Sequence, residues 1–152
     1  MRNQAFKILG NLHVVVAGPN PPTDAEWHTY VEAVKAEEQR GLDLTEMTTL
    51  VITEGGGPNA AQRKMVNDVL RGRTTKVATV SGSPFFRGIV TALTWFNPEM
   101  RVFSPDNVTD AFRFLGIPES QYDEIWEEIE LLRLQLEEAR SGGGESRRPP
   151  RR

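Results

Sequence analysis

Leu50-Val51-Ile52-Thr53-Glu54-Gly55-Gly56-Gly57-Pro58-Asn59-Ala60-Ala61 is the stretch on which the fold turns. Leu50 to Thr53 are apolar or β-branched and read as a buried strand. Three glycines then allow a sharp turn, and Pro58 suits the first position of a helix, where its missing N–H costs nothing. The helix continues with Ala61, Met65 and Val69 on one stripe and Val66 and Leu70 beside it. A strand that feeds a helix through a glycine turn presents backbone N–H groups at the carboxyl edge of a sheet. That edge is where α/β proteins usually meet ligands and partners.

Upstream, Ala5–Leu9 and Leu12–Ala17 read as strands joined by Gly10-Asn11, a dipeptide that tolerates the positive φ of a tight hairpin. Leu12–Ala17 is almost continuously apolar, as for a strand covered on both faces. Gly18-Pro19-Asn20-Pro21-Pro22 ends it, since proline cannot donate to a ladder. Thr23-Asp24-Ala25-Glu26 fits a capping box. The helix behind it carries Trp27, Tyr30, Val31 and Val34 on one face and ends at Gly41.

Downstream, Lys76–Val80 is another short strand. Ser81-Gly82-Ser83-Pro84 repeats the logic of turn, capping serine and first-turn proline. The helix that follows places Phe85, Ile89, Ala92, Leu93 and Phe96 inward. Met100–Phe103 is a last strand, and Ser104-Pro105-Asp106 opens a short helix closed by Gly116. The order predicts an α/β fold: a mainly parallel sheet of four to five strands with an antiparallel hairpin edge, helices against it, and a C-terminal amphipathic helix.

The 152 residues suit one domain with a tail, read as an α/β domain over 1–117, a helix over 118–140 and a disordered basic tail over 141–152. In the helix Tyr122, Ile125, Ile129, Leu132 and Leu136 recur at steps of three and four. Such a seam fits a helix lying on its own domain, and it fits one that pairs with a second copy or with another protein. On the second reading these five residues are the self-association site of a homodimer. From Glu119 to Glu138 acids crowd the segment, Glu119, Asp123, Glu124, Glu127, Glu128, Glu130, Glu137 and Glu138 against the single base Arg133. They are scattered around the helix as a solvated face, without metal-ligand spacing.

Hydrophobic residues make up 38% of the chain, cysteine is absent and the net charge is −3. No apolar run is long enough to span a membrane, and no secretory leader is apparent. These features point to a cytoplasmic protein without disulfides, and the charge argues against a nucleic-acid binder. The glycine loop lacks the lysine and Ser/Thr of a P-loop and the spacing of a dinucleotide fingerprint. Ser81 and Ser83 sit outside any nucleophile elbow and read as turn and cap residues, while His13 and His28 have no legible triad partners. Neither an enzymatic role, a cofactor nor a metal is expected. Gly55, Gly56, Gly57, Asn59, Arg63, Ser81, Ser83 and Arg87 are the candidate partner-binding residues, because two helix starts bring them to one sheet edge.

Four stretches carry a family likeness: Thr23–Trp27 and Pro58–Arg63 at two helix starts, Ser83-Pro84-Phe85-Phe86-Arg87-Gly88-Ile89-Val90-Thr91-Ala92-Leu93, and Ala111-Phe112-Arg113-Phe114-Leu115-Gly116. With the element order, they make residues 5–117 resemble the STAS superfamily, best known from bacterial anti-sigma-factor antagonists. More narrowly they resemble the small bacterial STAS-like domains grouped with the CRAL-TRIO lipid-transfer fold. The resemblance implies a signalling or scaffold module that binds a protein, such as a regulatory kinase or an anti-sigma factor. In such antagonists a hydroxyl at the start of the second helix is phosphorylated. Gly57-Pro58-Asn59-Ala60-Ala61 has none, so docking is expected to be constitutive or switched otherwise. The alternative reading is a carrier or sensor of a small apolar or anionic ligand, as in the lipid-transfer relatives.

Overall fold

Leu12–Ala17 is buried at every position, so both faces of that strand have to be covered. The computed structural model describes residues 2–84, 86–88 and 99–145. Its strands are β1 (Gln4–Leu9), β2 (Leu12–Ala17), β3 (Thr48–Thr53), β4 (Lys76–Val80) and β5 (Met100–Phe103). They lie side by side in chain order. β1 runs antiparallel to β2 through a hairpin turned at Gly10, where φ is +63°. The remaining pairs are parallel, so the α/β class and the mainly parallel sheet expected from the sequence are present.

Each parallel strand is added on the same side of the last, so crossovers of one hand put their helices on one face. Helices α1 (Asp24–Gln39) and α2 (Ala60–Leu70), which join β2 to β3 and β3 to β4, both lie there. Trp27, Tyr30, Val31 and Val34 of α1 and Leu70 of α2 pack with Val15, Leu44 and Met47. Among the described residues, the opposite face is covered by elements that follow β5. Helices α3 (Val108–Phe114) and α4 (Tyr122–Glu145) close it. α3 rests on β4 and β5, and α4 on β1 and β2.

That placement decides between the two readings of the last helix. Ile125, Ile129, Leu132 and Leu136 are at most 4% exposed and share one core with Val14, Val16, Leu50 and Ile52. Tyr122 packs at its margin, its ring 4.9 Å from that of Phe112. The seam proposed for self-association is therefore filled by the chain's own sheet, and residues 118–140 complete the domain rather than standing beside it. Burial of each such side chain is worth about 1.5–3 kcal/mol, against a net stability of roughly 5–15 kcal/mol for a whole domain. α4 also runs on to Glu145, into the stretch expected to be disordered. Residues 146–152, and the inward residues Phe85, Ile89, Ala92, Leu93 and Phe96 of the third expected helix, lie outside the described residues.

Candidate functional site

The carboxyl ends of β2, β3 and β4 release the loops after Ala17, Thr53 and Val80, and the candidate partner-binding residues gather there. Most of them also have a local structural task. Gly55 has φ +130°, a conformation L side chains rarely adopt. Gly56 donates its N–H to the Gly18 carbonyl at 2.9 Å, and the Thr53 hydroxyl donates to the Gly56 carbonyl at 2.6 Å. Thr53 Oγ1 also accepts from the Gly55 N–H at 3.0 Å, so this buried hydroxyl is engaged twice.

Helix α2 starts two residues later than the proline suggests, at Ala60 instead of Pro58. Asn59 is the cap: its Oδ1 accepts from the Gln62 N–H at 2.8 Å, and Gln62 Oε1 accepts from the Asn59 N–H at 3.0 Å. Gln62 is buried, and its Nε2 donates to Pro22 O and Asp24 Oδ1, both at 3.0 Å. Trp27 Nε1 donates to the Gln62 carbonyl at 2.7 Å. The starts of α1 and α2 are thus tied to each other. Arg63 Nη1 donates to the Pro58 carbonyl at 2.9 Å.

Ser81 and Ser83 take the turn and cap roles read from the sequence. Ser81 is fully buried and its Oγ accepts from the Ser83 N–H at 3.2 Å. Ser83 Oγ caps the next helical turn by accepting from the Phe86 N–H at 3.2 Å. Arg87 is half-buried, and its N–H donates to the Ser83 carbonyl.

Above this edge lies a cleft of ≈ 690 Å³. Its lining comes from the carboxyl ends of β2, β3 and β4, from Val108 at the start of α3 and from α4. Ile52, Val80, Val108 and Leu136 supply apolar lining, and Glu54, Ser81 and Ser83 belong to the strand-end loops. One wall is a flank of α4 formed by Trp126, Arg133 and Glu137, spaced i, i+7 and i+11. The sequence reading placed Ser81 and Ser83 at this site but missed the α4 wall. The signal was there, because Trp126 sits off the buried seam in a helix whose seam is otherwise regular.

A second feature lies on the outward side of α4. Leu131 and Leu134 are 52% and 49% exposed and face away from Ile129 and Leu132. Glu127, Glu130 and Glu138 share that side. Elsewhere, His13 is buried under α1 with Nδ1 3.3 Å from the Tyr30 hydroxyl. Burial lowers its pKa to about 4, partly opposed by Glu37, and pushes the Tyr30 phenol up to about 12, partly opposed by a Thr49 hydrogen bond. This network is sealed from the cleft by the sheet.

Comparison of the chain with family models, with curated proteins and with solved structures gives no match. Among the described residues no helix is long and apolar enough to cross a membrane.

Proposed function

We propose that the chain is a non-enzymatic protein–protein interaction module of STAS-like build, a regulatory or scaffold domain of bacterial cytoplasmic signalling. The supporting observation is a helix with two apolar aspects. Its buried seam completes the core, while Trp126 stands 38% exposed at the cleft and Leu131 and Leu134 stand 52% and 49% exposed on its outward side. Apolar side chains grouped in that way on a structurally committed element favour a docking surface. Asn59 caps α2 without a hydroxyl and Thr53 is engaged, so docking at this edge proceeds without phosphorylation of either. A homodimer, if formed, uses the outward leucines and not the seam.

The test is site-specific photo-crosslinking in cells, with the crosslinker at position 134 or 82 and a control at exposed position 64 on α2. Discrete adducts from 134 and 82, absent from 64, support the module. Equal labelling from all three, or none from any, sinks it. The cleft favours a second reading, a carrier of a small ligand, because ≈ 690 Å³ lies within the range of small-molecule sites. Native mass spectrometry of the gently purified chain checks that reading through a retained low-mass species.

A further inference from the structure

We propose that the cleft between α3 and α4 receives a basic, leucine-bearing extended segment of the partner protein. The inference rests on the interaction-module reading and names the partner's chemistry. Trp126, Arg133 and Glu137 form one wall, and Trp126 and Glu137 stand 11 residues apart on a helix, a span of about 16 Å. An extended peptide covers that length in about five residues at roughly 3.3 Å each. Its alternate side chains then fall toward the apolar lining of Ile52, Val80, Val108 and Leu136 and toward the rim.

The sign of the rim selects the charge of the occupant. Among the described residues lining the cleft, the acids Glu54 and Glu137 outnumber the base Arg133, whose guanidinium is 2.7 Å from Glu130 Oε1. The Trp126 ring, 5.8 Å from Phe112, is fixed at an angle and keeps part of its surface open. An exposed indole at one end of the wall and a carboxylate at the other suit two successive basic side chains of an extended segment, one by cation–π attraction and one by a charge-assisted hydrogen bond. The acids of α4 extend this field beyond the cleft and steer a basic chain toward it, whereas an anionic ligand meets net repulsion.

The experiment is calorimetric titration of the full chain with a synthetic peptide of alternating arginine and leucine and with its glutamate–leucine counterpart. The arginine peptide is expected to bind at least about tenfold more tightly, with affinity falling as salt rises. Glu54→Lys combined with Glu137→Lys is expected to weaken it about tenfold or more. Glu127→Lys with Glu138→Lys, on the outward side of α4, is expected to change it less than about threefold. All four positions are exposed, so folding is preserved. Equal affinity for the two peptides, or equal loss from the two double reversals, overturns the proposal by reducing it to general charge attraction. If neither peptide binds while crosslinks from positions 134 and 82 persist, the basic-segment proposal falls and the module stands. If the crosslinks are also absent, both fall.

Discussion

A Cβ atom placed on Gly56 would stand 2.2 Å from the carbonyl oxygen of Asn20. The Gly18 carbonyl would lie 2.5 Å away on the same side, and it accepts the Gly56 N–H. The middle glycine of the loop therefore lets two backbone segments touch at the ends of β2 and β3. No flexible side chain is available to move aside.

Gly56→Ala is accordingly expected to destabilise the fold by about 1–3 kcal/mol or more, the range of overpacking against backbone that has to shift. Gly57 is the control. A Cβ there would meet only the Phe86 ring at 3.4 Å, so Gly57→Ala should cost less than about 1 kcal/mol. Urea denaturation of the two variants separates them. Equal midpoints would show that the loop yields as a unit.

Gln62 offers a second check, because one buried side chain holds three partners. Its Oε1 accepts from the Asn59 N–H, and its Nε2 donates to Pro22 O and Asp24 Oδ1. Gln62→Leu leaves the Pro22 carbonyl without that donor, at a cost of about 2–3 kcal/mol. Asn59→Ala removes only the cap and should cost about 1 kcal/mol. Thermal unfolding by circular dichroism gives the order of the two losses.

The last helix divides by face. Ile129→Glu puts a carboxylate into a fully buried position and is expected to unfold the domain, as is truncation at Gly116. Leu131→Ser and Leu134→Ser should shift stability by less than about 0.5 kcal/mol each, since both side chains are half in water. A folded Gly116 truncation by heteronuclear NMR would overturn this assignment of α4 to the core.

Much of this was readable locally. The uniform apolarity of Leu12–Ala17 announced a strand covered on both faces, and the Thr23–Glu26 capping box appears as written, with Glu26 Oε1 accepting from the Thr23 N–H. Which helix supplies the second cover was not local information. It follows from strands pairing in chain order, which leaves one face free for α3 and α4. The seam of Ile125, Ile129 and Leu132 looks the same whether it meets a sheet or another copy. Pro58 masked the Asn59–Gln62 box because a first-turn proline is the stronger cue in a sequence. The cleft was least legible, since Glu54, Val108 and Glu137 come from three distant segments.

Acid should expose the buried histidine. Burial lowers the pKa of His13 from 6.5 to about 4, with Glu37 opposing, so between these values the unfolded chain binds a proton that the folded chain does not. Stability therefore falls as pH drops through that window, by up to about 3 kcal/mol, and the loss is complete below the folded value. Glu26 adds a second, lower limb. Burial alone would raise its carboxyl, but hydrogen bonds from the Thr23, Asn3 and Gln4 N–H groups and from the Thr23 hydroxyl hold it below its ordinary value. Its stabilisation is present above the unfolded pKa and disappears as pH falls through the folded one. His13→Leu keeps an apolar body beneath Tyr30, whose hydroxyl retains its Thr49 partner. That variant should flatten the limb between pH 6.5 and 4 and leave the lower limb intact. Urea midpoints measured across this range decide the matter. A wild-type curve that is already flat between pH 6.5 and 4 would mean that the imidazole titrates in the folded protein as it does in water.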